Sequence, residues 1–262
     1  MSGEADSGAA QSATSSSSWR ILYLIGAAAA VAAVLVFRRY FSVEMMQFRG
    51  FGIFAVPEAW PTSAAEWFAV FQEYGFTGLI LFDLFDLINY ALVGLIFLAL
   101  YGALRDRARA VLLLAMVCAF AGITIYFASN QAFAMLNLSE QFAAAASAAE
   151  KALFLAAGEA LIAIQKHGLG TQLSLFLLLL AGLLVSLIML RSEVFGRAAA
   201  TAGILANGIG LAYFIALPFD SNFIWIFPSV SAPFRMLWYI LIAVTLFRLA
   251  RLDLRNFSQI GA

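Results

Sequence analysis

The chain reads as an all-α, polytopic membrane protein of about six spans, carrying amphipathic helices at the membrane interface. Two observations predict it. Of 262 residues, 64% are hydrophobic and only 11% charged, against about 25% charged in a soluble globular domain. The apolar residues also gather in runs of about twenty, the length that crosses about 30 Å of hydrocarbon as a helix. With 15 basic and 15 acidic residues the net charge is zero, so no overall field draws the chain to nucleic acid. The expected environment is a lipid bilayer, with a membrane-protein partner or a second copy of the chain as possible neighbours.

Residues 1–18, MSGEADSGAAQSATSSSS, are small and polar, too poor in apolar surface to offset ordering entropy, and read as a disordered tail. Residues 19–37, WRILYLIGAAAAVAAVLVF, form a candidate anchor helix. The alternative is a secretory signal peptide, but the apolar core is long, no basic n-region precedes it, and Arg38 and Arg39 follow directly. Residues 38–75 connect the anchor to the bundle. Within them Thr62 and Ser63 precede Glu66 as a capping pattern, and Trp67, Phe68, Phe71 and Tyr74 recur at helical spacing. That segment predicts an aromatic amphipathic helix at the membrane interface.

The membrane bundle is expected over residues 76–250. Residues 76–104 form the second span, about 43 Å at 1.5 Å per residue, so it must tilt or protrude. Further spans are expected at 110–130, 171–190, 198–219 and 234–249. Between them, 138–165 is alanine-rich, with Asn137 and Glu140 spaced as a capping pair. Glu150, Lys151 and Glu159 suit it poorly to lipid, while a seventh span buried among the others stays open. Residues 219–233, with Pro228 and Pro233 among aromatics, read as an interfacial or re-entrant loop, and 251–262 as a second tail.

Orientation follows from basic residues at the span ends. With the N-terminus in the cytoplasm, Arg20, Arg105, Arg107, Arg109, Arg191, Arg197, Arg248, Arg251 and Arg255 fall inside. Arg38, Arg39, Arg49, Lys151, Lys166 and Arg235 fall outside. The short loops RDRAR and RSEVFGR weigh most, so both termini are predicted to be cytoplasmic in a cell (inner or plasma) membrane. Arg38 and Arg39 argue the other way.

Inside the second span, Asp83, Asp86 and Asn89 follow at i, i+3 and i+6, and Tyr90 extends the same face. A carboxylate in hydrocarbon costs about 2.5–3.5 kcal/mol even on the lenient insertion scale, so these groups should face the bundle interior, water or a cation. One account is a proton or cation site, or the polar wall of a substrate cavity. The other is a span that begins in the headgroup layer, with Asp86 paired to an arginine. Asn207, among Gly203, Gly208 and Gly210, could complete such a site or serve helix packing. Arg235 could pair with Glu159 or Asp220, bind an anion, or snorkel to the headgroups. Asn130 and Gln131 read as an ordinary polar helix end.

One cysteine, Cys118, and one histidine, His167, leave no disulfide and no Cys/His metal cage. No G-x-S-x-G elbow, phosphate loop or H-E-x-x-H is present, and two aspartates on one helix lack the opposed carboxylates of aspartic chemistry. No cofactor and no catalytic residue is assigned. The working function is transport, or binding of a small ligand or ion, through a polar intramembrane cavity; the alternative is a structural or accessory subunit that binds a partner protein.

Several stretches also resemble a prokaryotic family of integral membrane proteins, domain of unknown function 4386. They are DLINYALVGLIFLALYGAL at 86–104, FASNQAFAMLNLSEQ at 127–141, LAAGEALIAI at 155–164, SLIMLRSEVFGRAAATAGILANGIGLAYFI at 186–215 and LWYILIAVTLFRL at 237–249. The resemblance covers roughly residues 76–250. It implies a multi-span membrane protein and supplies no site residues to carry over.

Overall fold

A computed structural model of the chain describes residues 19–36, 60–219, 224 and 226–260, with side chains described as far as Leu252. The readings of residues 1–18 as a tail, of Arg38, Arg39 and Arg49, and of Asp220 fall outside the described residues. Among those described, every regular element is a helix. In chain order they are α1 (Trp19–Val36), α2 (Ala64–Tyr74), α3 (Phe76–Leu104), α4 (Arg109–Ser129), α5 (Ala132–Ala144), α6 (Ala148–His167), α7 (Leu169–Met189), α8 (Arg197–Ala216) and α9 (Ile226–Ile260). Six runs are long and apolar enough to cross a membrane: Trp19–Val36, Phe76–Leu104, Arg109–Ala144, Ala148–Met189, Arg197–Ala216 and Ile226–Leu252. The chain is a multi-pass membrane protein.

Two compact units divide it. The first comprises residues up to Leu35, Leu92–Phe120 and Phe176–Ala262; the second comprises Val36–Ala91 and Ala121–Leu175.

In the first unit, α1 turns its small residues inward. Ala27, Ala30 and Ala33 are fully buried while Ile21, Ile25, Val31 and Leu35 are exposed. A soluble helix would do the reverse; in lipid, close packing of small residues drives association because the tails are as apolar as leucine. Gly26 marks the tightest approach, since a Cβ there would strike Ala99 and crowd Leu246. Trp19 lies over Gly102, where a Cβ would come within 2.7 Å of its ring, and Arg105 stacks on that indole at 3.9 Å. Arg107 Nη2 donates to Glu193 at 3.5 Å. These contacts gather the start of α1, the end of α3, the loop before α4 and the loop before α8 at one end of this unit. Helix α9, antiparallel to α8 with Trp238 at Gly203 and Arg235 at Gly210, brings the residues after Leu246 to the same end. That end carries Arg20, Arg105, Arg107, Arg109, Arg191, Arg197, Arg248 and Arg251, against Asp106 and Glu193 among the described side chains.

The last helix differs from expectation. Residues 226–233 are the first two turns of α9 rather than part of a loop, and Pro233 lies inside the helix. Pro228 falls in the first turn, where no intrahelical N–H is needed. Pro233 costs a hydrogen bond, offset by tertiary burial of Ser231 and Ala232.

The second unit has its own apolar core, built from Trp67, Phe68 and Phe71 of α2, Leu81 and Phe82 of α3, Met135 of α5 and Ile162 of α6. Here α2 forms as its sequence indicates. Ser63 is its N-cap, with the full reciprocal capping box to Glu66. Its aromatic face is covered by protein. Trp67, Phe68 and Phe71 are buried against protein, Trp67 meeting Phe82 edge-on at 4.9 Å and Phe68 meeting Phe142 at 5.3 Å. The motif LAAGEA of α6 docks this helix. A Cβ at Gly158 would fall 2.7 Å from Ala64 and 2.9 Å from the Phe68 ring, and the next residue, Glu159, accepts the Ala64 N–H at 2.7 Å. One α2 amide at the helix start is thereby satisfied by a carboxylate 95 residues away.

The alanine-rich stretch 138–165 is two helices. Ala145 leaves helical space at ψ 127, ending α5, and Ser147 with Glu150 forms the capping box of α6. Asn137 lies inside α5, so the Asn137–Glu140 cap is corrected. Both pairs fit the capping pattern locally; the break at Ala145 decides between them.

The α2 cap sets a pH dependence. Glu66 accepts from the Thr62 N–H at 2.6 Å, the Thr62 hydroxyl at 3.1 Å and the Ser63 N–H at 3.3 Å. The backbone bond from Thr62 is the leading cause that holds its carboxyl below the ordinary range. A depressed carboxyl stabilises the fold above its unfolded pKa and loses that contribution as pH falls through the folded value. Hydrogen-exchange protection of the 64–74 amides, corrected for intrinsic rates, should therefore drop below about pH 4. Glu66→Gln should give lower protection at neutral pH with little further change on acidification. Equal acid sensitivity in both proteins would show that Glu66 is not the titrating group.

Candidate functional site

The polar centre of the second unit is built on an irregularity in α3. Residues Ile80–Leu84 are π-helical between the α-helical segments Phe76–Leu79 and Phe85–Leu104. Single π-turns inside α-helices recur at functional sites because they shift the helical phase and reorient a side chain. Asp83 lies in this turn.

Asp83 is 4% exposed. Its Oδ1 accepts the Tyr126 hydroxyl at 2.6 Å, and its Oδ2 accepts from Asn130 Nδ2. Both donors come from the C-terminal end of α4 and the residue after it, one helical turn apart. Asn130 is held in turn, its Oδ1 accepting the Ala132 N–H at 3.0 Å where α5 begins. Gln165 of α6 donates to the Phe82 carbonyl at 3.4 Å, placing a further amide beside the turn. Among the described residues no lysine or arginine pairs with Asp83. The carboxylate is solvated by neutral donors.

The other residues of the expected face lie around this carboxylate or beside its donors. Asp86 follows one turn on and acts electrostatically on both Asp83 and Tyr126. Tyr90 stacks on Tyr126, with centroids 3.7 Å apart and planes 10° from parallel, so it supports the ring that holds Asp83. The Asn89 Oδ1 is buried with no hydrogen-bond partner among the described residues.

Asn207 and Arg235 belong to the first unit. Asn207 is 3% exposed, and its Nδ2 donates to the Gly203 carbonyl at 2.8 Å within its own helix. The amide reaches α7 by packing, occupying the space where Gly182 lacks a Cβ. Gly203 in turn meets Ser186 of α7 and the Trp238 indole of α9, whose Nε1 is buried without a partner among the described residues. Gly210 admits Leu179 and lies near the Arg235 guanidinium, whereas Gly208 faces open space and is not a packing glycine. Glu159, one expected partner of Arg235, is engaged by Ala64. His167 ends α6, exposed, and no group of three or more His, Cys, Asp or Glu side chains positioned for a metal occurs among the described residues.

Sequence reasoning located Asp83 and missed its partners. Tyr126 and Asn130 are 43 and 47 residues away along the chain; Asn130 in particular is a carboxylate ligand rather than an ordinary helix end. Their spacing of four was the available signal, since it puts a hydroxyl and an amide on one face of α4.

No family model, no curated protein and no solved structure matches the chain.

Proposed function

We propose that this chain is a transporter or small-ligand-binding protein of the cell membrane in which the Asp83 cluster is a proton- or cation-responsive site. The observation that carries this reading is a buried carboxylate held by two neutral donors, with a second carboxylate one turn away. Acidic groups at such depth are costly, and they persist where a proton or cation is exchanged. The π-turn supports it, since a reversible shift of helical phase would move Asp83 between its donors and a water path. The resemblance to domain of unknown function 4386 agrees with a multi-span protein. The eight arginines at one end of the first unit support a cytoplasmic location for that end, with α1 as a retained anchor and both termini inside.

A second reading rests on a specific observation: Asp83 ties α3 to the end of α4 much as a structural pin would. An accessory membrane subunit would need no more. Single cysteines at positions 86 and 89, in a Cys118→Ser background, separate the two when probed from each side with a membrane-impermeant thiol reagent. Labelling at 86 and 89, with none at a cysteine replacing Leu95, supports a water-filled path to the carboxylates. Silence from both sides means a sealed cluster and sinks the transport reading.

A further inference from the structure

The last turns of the final membrane run, Ile226–Leu252, present Val244, Phe247, Arg248 and Arg251 around a shallow recess of about 310 Å³. These residues stand at i, i+3, i+4 and i+7, on one face of α9. All four are exposed. The two apolar side chains lie about a turn deeper along the span than the two guanidiniums, so the recess is graded from hydrocarbon to charge. We infer that it binds the phosphate headgroup of an anionic phospholipid, with the start of an acyl chain laid along Val244 and Phe247.

Charge complementarity carries the choice of occupant. Arg248 and Arg251 stand at the cationic end of the first unit, where Asp106 is drawn toward Arg105 at 3.8 Å and Glu193 toward Arg107 at 3.5 Å. The described carboxylates of that end are thus engaged elsewhere. At the same end the Arg20 Nε is buried with no hydrogen-bond partner among the described residues, so the surroundings are rich in donors and poor in acceptors. Guanidinium forks match phosphate oxygens two at a time, and basic side chains beside a span attract acidic lipid headgroups. Free inorganic phosphate shares that chemistry but makes no use of Val244 and Phe247. A zwitterionic lipid has the chain but no net charge.

Native mass spectrometry of the purified full chain in mild detergent tests this, using phosphatidylglycerol and phosphatidylcholine with matched acyl chains. Phosphatidylglycerol should bind about thirtyfold more tightly, the scale expected when two basic groups act near the surface. Arg248→Gln with Arg251→Gln should bring it down to the phosphatidylcholine level, with helical circular dichroism unchanged because both side chains are exposed. Arg191→Gln with Arg197→Gln, two exposed cations at the same end, should leave the preference intact. Equal binding of the two lipids overturns the inference, as does a preference that survives loss of Arg248 and Arg251. An equal loss in the Arg191 and Arg197 variant would replace a site by a diffuse field, and displacement of the lipid by millimolar inorganic phosphate would make it a free-anion site.

Discussion

Asp83→Ala should destabilise the second unit by about 2–4 kcal/mol, because it removes the acceptor of two donors and orphaned buried groups cost about 1–3 kcal/mol each. The Tyr126 hydroxyl carries most of this. Its residue is 6% exposed, whereas Asn130 is only half-buried and can recruit water in place of the carboxylate. Asp83→Asn keeps one acceptor and turns an NH2 toward the other donor, so it should cost less than alanine. Tyr126→Phe removes one donor and leaves Asp83 with Asn130. If the Asp83–Tyr126 bond is a coupled unit, the double variant Asp83→Asn with Tyr126→Phe should lose less than the sum of the singles, by about 1–3 kcal/mol. Reversible denaturation in mixed detergent micelles reads all four proteins. Additive losses would mean that the 2.6 Å contact contributes no coupling, and that burial of Asp83 has another cause.

That cycle also bears on why the sequence showed half of this site. Asp83, Asp86 and Asn89 were legible because a polar face in an apolar run is a local pattern with a known energetic cost. Tyr126 and Asn130 were not, because a tyrosine and an asparagine near a span end have ordinary local explanations, and only the fold brings them to Asp83. The π-turn leaves no periodic trace that a five-residue segment can show. It also alters the helical phase on which the shared face of Asp83, Asp86 and Asn89 was reckoned.

The same distinction runs through the helices. Six apolar runs and the Ser63–Glu66 cap are readable from composition and spacing alone. What covers an amphipathic face is not: Trp67, Phe68 and Phe71 look the same in sequence whether lipid or protein meets them, and here α3, α5 and α6 supply the cover. Likewise Pro228 and Pro233 signal a break by propensity, yet the chain is helical through both, with Ser231 and Ala232 buried between them.

Gly203→Leu should prevent assembly of the first unit, and even Gly203→Ala should cost about 1–3 kcal/mol, the range for forcing extra methyl groups into a packed interior. A Cβ at this position would overlap Ser186 Oγ and come within 2.5 Å of Trp238 Nε1. Neither neighbour can retreat freely. Ser186 is fully buried and donates to the Gly182 carbonyl at 2.7 Å, and the Trp238 side chain is 2% exposed in the core. In a bilayer such close approach of backbones is itself the source of helix association, because apolar surface gains little by leaving lipid. The contrast within one helix makes the test sharp. Gly208, five residues on, has nothing within 4 Å of its missing Cβ, so Gly208→Ala should leave stability unchanged or slightly raised by helix propensity. Pairing Gly203→Ala with Ser186→Ala removes the overlapping oxygen and should recover part of the loss, since the indole contact remains. Thermal melting of the purified proteins, followed by size-exclusion chromatography, distinguishes these cases. If Gly208→Ala is as damaging as Gly203→Ala, the glycines act through the backbone of α8 alone; if Ser186→Ala gives no rescue, the indole of α9 and not Ser186 of α7 sets the cost at Gly203.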